Sequence, residues 1–193
     1  MKTIFKYFSF FFISLIFIIG SCKGPINQID ETFGDAELKK GTLENSVKLS
    51  QEEIDGILFM REEEKLAHDV YVQFYDLYAN KIFLNISVSE QRHTDAVLQL
   101  INYYGLEDPA MEEIGEFRNK ELQDLYDLLM SMGTDLISAL EVGVLIELTD
   151  LEDITALMQQ TEIMNILQVY GNLLDGSLNH LTSFETTLDK LDQ

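Results

Sequence analysis

The chain has 193 residues, 46% of them hydrophobic, which is enough for one domain with its own core. Thirteen Lys and Arg stand against 34 Asp and Glu, a formal charge of -21, which excludes a nucleic-acid surface built from clustered cations and disfavours adsorption to anionic lipid. Two prolines and no tryptophan leave room for long, unbroken helices.

At the N-terminus, Lys2 and Lys6 precede an apolar run over residues 8–19, followed by Gly20, Ser21 and Cys22. A charged start, a short apolar stretch and small residues make an export signal. The run is too short for a membrane span of roughly 20 residues. The stretch Ile19-Gly20-Ser21-Cys22 resembles the lipobox of bacterial lipoproteins. That resemblance implies removal of residues 1–21, lipidation of Cys22, attachment to a membrane through the lipid, and a place in the bacterial cell envelope. A plain signal peptide or short anchor helix is the alternative. Cys22 is the single cysteine, so no intrachain disulfide can form. Residues 22–49 are polar, with little periodicity, and read as a lipidated N-terminus and flexible tether.

The folded domain is expected over residues 50–193. Ser50-Gln51-Glu52-Glu53 is a capping-box pattern that opens a first long helix to about residue 78. Residues 81–85 read as a connection and 86–104 as a second helix, stopped by Gly105 and Asp108-Pro109. A crossover containing a short helix near residues 122–130 follows. Gly133-Thr134 starts a third long helix to about residue 159, and Thr161 caps a fourth that runs nearly to the C-terminus. No strand pattern or repeat is visible. Two long helices, a long crossover and two more long helices spell an all-α four-helix bundle with one long connection.

A bundle core is filled from positions alternating three and four apart. Those stripes are apolar or aromatic except near one level, where they read Glu64, then Glu90 with His93, then Glu147 with Asp150, then His180. Uncompensated carboxylates in a dry core cost several kcal/mol each, so they must be paired, protonated or bound to cations. Hard oxygen donors with imidazole suit iron, manganese or zinc. Glu90 and His93, three apart, point the same way from one helix.

Each residue also has a plainer reading. Glu90 fits the fourth place of Ser87-Val88-Ser89-Glu90, a second capping pattern; His93 and His180 could be hydrogen-bonded core histidines; Glu147 and Asp150 could begin a solvated acidic turn with Glu152 and Asp153. Glu62 and Glu63 are expected on the outer face of the first helix, Glu141 off the stripe, and His68 at the periphery. Two of only three histidines falling in core stripes, each opposite carboxylates, favours the metal reading.

Glu64, Ala67 and Tyr71 resemble the first metal helix of ferritin-like and rubrerythrin-like proteins. Glu90-Gln91-Arg92-His93 resembles their Glu-x-x-His, Glu147 and Asp150 their paired carboxylates on the third helix, and His180 the histidine of their second Glu-x-x-His. The chain resembles still more closely one prokaryotic family, domain of unknown function 2202, through Arg61-Glu62-Glu63-Glu64-Lys65-Leu66-Ala67, Ser89-Glu90-Gln91-Arg92-His93 and Gly176-Ser177-Leu178-Asn179-His180-Leu181. The resemblance covers residues 50–184. It implies a ferritin-like bundle with two metal ions, iron first and manganese or zinc as alternatives, held by Glu64, Glu90, His93, Glu147, Asp150 and His180. Tyr71 would hold a carboxylate ligand in place. The implied chemistry concerns dioxygen, peroxide or ferrous iron. A metal scavenger and an interaction lipoprotein without metal are the alternatives.

Two features strain this picture. Ser177 stands where rubrerythrins carry a glutamate. Glu64 also lies 14 residues, about 21 Å, before Tyr78, while Glu90 is about one turn into the expected second helix. Residues 81–85 must then run back extended beside the first helix, or that helix must end near Phe74.

Overall fold

The computed structural model describes residues 48–191. The predicted signal peptide, Cys22 and nearly all of the predicted tether lie outside the described residues. Five helices are found, α1 (Gln51–Tyr78), α2 (Lys81–Tyr104), α3 (Lys120–Met132), α4 (Leu136–Met158) and α5 (Met164–Leu191), with no strand among the described residues. The protein is all-α. None of these helices is long and apolar enough to cross a membrane.

Local chemistry sets the helix ends. Ser50 and Glu53 form the capping box expected for α1, and Glu53 Oε1 also accepts from Thr161 Oγ1 at 2.7 Å, tying the start of α1 to the α4–α5 connection. α4 starts at Leu136, just after the expected Gly133-Thr134: Asp135 caps it, with Ser138 answering. Thr161 lies three residues before α5, where its hydroxyl accepts from Ile163 N.

The main departure from expectation is at residues 81–85, which are helical rather than a linker. Ala79 takes the left-handed conformation (φ 50°), and the Asn80 side chain accepts from Ile82 N, so two residues reverse the chain and α2 begins at once. Folding back at Lys81 lets α2 climb beside α1 at the same rise per residue. Glu90 and His93 then sit roughly 14 and 18 Å into α2, close to the 21 Å that separates Glu64 from the end of α1. No extended return is needed.

The four long helices close a ring in the order α1, α2, α5, α4, and α3 lies against α1 and α4. Two apolar clusters fill the ring. One contains Tyr71, Phe74, Phe83, Ile86, Leu140 and Phe184; the other contains Ile57, Met60, Val97, Leu100, Ile154 and Tyr170. On each long helix the buried polar residues of the inward stripe fall between the members of these two clusters: Glu64 between Met60 and Ala67, Glu90 between Ile86 and Val97, Glu147 and Asp150 between Leu140 and Ile154, and Ser177 and His180 between Leu173 and Phe184. A polar layer is sandwiched between two dry ones.

Candidate metal centre

The polar layer brings five of the six predicted ligands to one place. Glu90 lies at its middle, fully buried. Its Oε2 is 2.7 Å from His93 Nδ1 and its Oε1 is 2.7 Å from His180 Nδ1. His93 Nδ1 is also 3.2 Å from Glu64 Oε2, and His180 Nδ1 is 3.5 Å from Glu147 Oε2. Two groups of donors result, Glu64–Glu90–His93 and Glu90–Glu147–His180, each with its ligand atoms within 4.8 Å of one another, and Glu90 belongs to both. The two imidazoles lie 5.5 Å apart, centroid to centroid, and 26° from parallel. Asp150, predicted as a ligand, is 2% exposed and beside the cluster but in neither group.

The alignment of these contacts matters as much as their length. His93 Nδ1 is in line for a hydrogen bond to Glu64 Oε2. Its closer approach to Glu90 is out of line, as is that of His180 to Glu90. Both Glu90 oxygens, Glu64 Oε1, Glu147 Oε2, Asp150 Oδ2 and His180 Nδ1 therefore have no hydrogen-bond partner, although all are buried. Such groups are rare in folded proteins and call for an explanation. Two donors bound to one ion at about 2.1 Å sit roughly 3 Å apart, and neither needs to point at the other. The orphaned atoms thus suit a cation better than they suit one another.

Electrostatics point the same way. Burial pushes the Glu64 carboxyl up to about 8, only partly offset by His93. Burial also opposes ionisation of Glu90, but the imidazoles of His180 and His93 outweigh it and hold this carboxyl far below its usual range. Burial raises Glu147 against the pull of His180 and Tyr71. Asp150 is driven well above the carboxylate range by burial and by Glu63, Glu147, Glu64 and Glu90 around it. Burial alone would lower the histidines, yet the adjoining carboxylates lift His93 to about 10 and His180 to about 9. Acidic groups that resist losing protons and imidazoles that resist losing theirs make a site in which a cation competes with protons for the same atoms. Hard oxygen and imidazole nitrogen are donors that iron, manganese and zinc accept.

Tyr71 is fully buried, and its hydroxyl donates to Glu147 Oε1 at 2.6 Å, leaving Oε2 for the cluster. Phe83 and Phe184 pack against its ring and fix it. Ser177, where a fourth-helix carboxylate was missed in the sequence, is buried, but its hydroxyl donates to Leu173 O within α5. Glu90 is therefore the one carboxylate shared by the two groups. The capping reading of Glu90 fails because Ser87 is already inside α2, with its hydroxyl donating to Leu84 O. The solvated-turn reading of Glu147 and Asp150 fails because both are buried. His68 is outside the cluster, its Nδ1 2.8 Å from Asp69 Oδ1.

Glu62 and Glu63 correct the expectation of an outer, solvated face: they are only 4% and 3% exposed. The crossover covers that side of α1. Glu62 Oε1 accepts from Arg118 N at 2.6 Å and Asn119 N at 3.0 Å. Glu63 turns towards α4, where burial and the nearby Asp153 drive its carboxyl well above the usual range; its Oε2 has no partner. Sequence reasoning missed Glu63. The acidic run Glu62-Glu63-Glu64 is the signal, because three successive helical positions span some 200° and cannot all avoid the neighbouring helices.

The family described as "Uncharacterized protein domain (DUF2202)" matches residues 53–193, and the chain belongs to it. The uncharacterized protein MJ0754 of Methanocaldococcus jannaschii is 41% identical over 143 residues, covering 73% of this chain and 77% of that protein. The crystal structure of hypothetical protein MJ0754 from Methanococcus jannaschii aligns with a TM-score of 0.75 at 39% identity, covering 79% of this chain and 88% of the other.

Proposed function

We propose that this DUF2202 member is a ferritin-like four-helix protein that holds two metal ions, iron in the first instance, in the polar layer between its two apolar clusters. The observation that carries the reading is the pair of donor groups that share Glu90, with both Glu90 oxygens, one oxygen each of Glu64 and Glu147 and the Nδ1 of His180 left without hydrogen bonds in the interior. Glu64 and His93 would hold one ion, Glu147 and His180 the other, with one oxygen of Glu90 directed to each. Asp150 adds negative charge beside them. The ring order of the long helices and the single long crossover support the ferritin-like description.

Iron in such a site supplies one-electron chemistry towards dioxygen or peroxide. The chain's own residues do the rest. Glu90 couples the two positions. Tyr71 keeps Glu147 turned inward through its hydroxyl. Ser177 turns its hydroxyl to Leu173 O, so on the α5 side His180 would be the one residue to hold an ion. The apolar layers above and below keep bulk water away. We further propose that Cys22 carries lipid and tethers the domain at the bacterial envelope, as its lipobox-like setting implies.

A reading as metal capture without turnover has one feature in its favour. The single cysteine leaves no Cys-x-x-Cys, so the chain carries no thiolate-bound electron donor of its own. Oxygen consumption on adding ferrous iron separates turnover from capture. The test of the main reading is elemental analysis of the purified protein and of Glu90→Ala. The wild-type protein should carry about two iron or manganese ions per chain and the variant none. Wild-type protein that takes up no metal would sink the proposal.

A further inference from the structure

Gly176 belongs to none of the donor groups, yet it stands closest to one of them. An ideal Cβ built on its backbone would meet Cε1 and Nε2 of His93, both at under 3.0 Å, a separation that real Cβ atoms essentially never show. Gly176 lies within α5, four residues before His180, and nothing at this position calls for a left-handed backbone. A glycine inside a helix costs roughly 1 kcal/mol relative to alanine. No backbone reason for that cost exists here, whereas the imidazole against the bare Cα supplies one.

The surroundings show why the imidazole could not simply step aside. The Cε1–Nε2 edge of His93 points at Gly176 on α5, and on another side the His180 ring lies 5.5 Å away, 26° from parallel. Its Nδ1 is engaged with Glu64 and Glu90. The α5 backbone is itself fixed by Tyr170, Leu173 and Phe184, all 2% exposed or less. A methyl group at position 176 leaves the imidazole one direction, outward, along the 12% of the side chain that reaches solvent. His180 reaches Glu90 and Glu147 from its own position on α5 and has no such dependence.

We propose that Gly176 is the positioning residue of the His93 half of the centre: by lacking a side chain it lets α5 approach closely enough for His93 to reach Glu64 and Glu90 together. This deepens the two-metal reading and rests on it. It also makes the two halves separable, so that one substitution outside the donor set turns a two-metal protein into a one-metal protein.

The test compares metal content and the visible spectrum of the cobalt(II)-loaded protein for wild type, Gly176→Ala, His93→Ala, the double variant, and Gly171→Ala. Gly171 is a second glycine of α5, and a Cβ there would meet nothing within 4 Å. The wild type and Gly171→Ala should bind about two ions. Gly176→Ala should bind about one, with the second weakened at least tenfold, the scale on which orienting contacts act. In the double variant, where no imidazole opposes the new methyl group, the metal-free protein should melt no lower than His93→Ala, because alanine is the better helix former. Adding Gly176→Ala to His93→Ala should change nothing further, since both act on one imidazole. Two tightly bound ions and an unchanged spectrum in Gly176→Ala would overturn the proposal while leaving the two-metal reading standing. A further loss in the double variant would also overturn it, by showing a role not routed through His93. A wild type without metal would overturn both.

Discussion

Two sets of buried charged residues share the middle of α1, and they are built on opposite plans. On the face covered by the crossover, every charge has partners. Arg61 makes two hydrogen bonds of 3.0 Å to Asp108 and reaches Thr94; Glu62 accepts two backbone N–H groups; Lys65 donates to Asp69 and to the carbonyls of Glu113 and Glu116; Asp69 also accepts from Gly115 N. On the face turned into the ring, Glu64 and the residues opposite it keep orphaned oxygens, and Glu63 beside it does the same. The first set is a clamp that straps residues 108–119 across α1 and is complete in itself. The second is more deeply buried and incomplete. Satisfied polar networks fix one structure, while half-satisfied ones are tolerated only where something else completes them. The contrast therefore separates satisfied from unsatisfied buried charge within nine residues of one helix.

The largest expected effect lies in the clamp. Asp69→Ala leaves the Lys65 ammonium with only the Glu113 and Glu116 carbonyls and the Gly115 N–H without its acceptor, and should cost about 3 kcal/mol, by the same amount with and without metal, leaving metal content unchanged. Denaturant unfolding in both states checks this. A change in metal stoichiometry would erase the boundary between the two sets.

Substitutions in the inner set should act with the opposite sign. In metal-free protein at neutral pH, Asp150→Asn or Glu63→Gln removes a carboxyl that burial disfavours, and should raise stability by about 1 kcal/mol. The pH dependence sharpens this. Asp69 is buried, which opposes ionisation, but His68, Lys65 and Gly115 N hold its carboxyl below the usual range. Its contribution is complete above the ordinary aspartate value near pH 4 and lost as pH falls through the lower folded value. Glu63 and Asp150 are raised, so theirs is complete below about pH 4 and lost as pH rises. Metal-free protein should therefore melt lower at pH 8 than at pH 5, with a shallower slope in Asp150→Asn. Metal-loaded protein should show the reverse trend, as protons displace the ions at low pH. Equal slopes in the wild type and Asp150→Asn would show that the inner carboxyls do not govern the metal-free state.

The smallest effect is expected at the join between cluster and core. Tyr71→Phe removes one hydrogen bond to Glu147, costing about 1 kcal/mol of stability. Metal affinity on the His180 side should fall on the order of tenfold. Denaturant unfolding of the metal-free variant reads the first effect, and titration calorimetry with metal reads the second.

Much of the inner set was legible in the sequence because helical periodicity is strict. Glu64, Glu90, His93, Glu147 and His180 fall on stripes otherwise filled by Met60, Tyr71, Val97, Leu140 and Phe184, and the structure gathers them. The clamp was not legible. Nothing in a 3.6-residue period says that the crossover will lie along α1 and bury the side carrying Glu62 and Glu63, because that contact spans more than fifty residues of chain. The tight turn escaped for a local reason: Ala79 adopts a conformation usually left to glycine or asparagine, so only Asn80, a common cap, marked the turn, and residues 81–85 were expected to be linker. Asp150 sits on the stripe three residues after Glu147 and is buried beside the cluster, yet it joins neither donor group.

The central claim is that two cations occupy the polar layer on either side of Glu90. Anomalous diffraction from crystals of the purified protein, recorded at the iron and manganese edges, addresses it directly. The account expects two peaks about 3.5–4 Å apart, one beside Glu64 and His93 and the other beside Glu147 and His180. Crystals with no peak in that layer after exposure to ferrous iron, or with peaks only on the acidic outer surface, would contradict it.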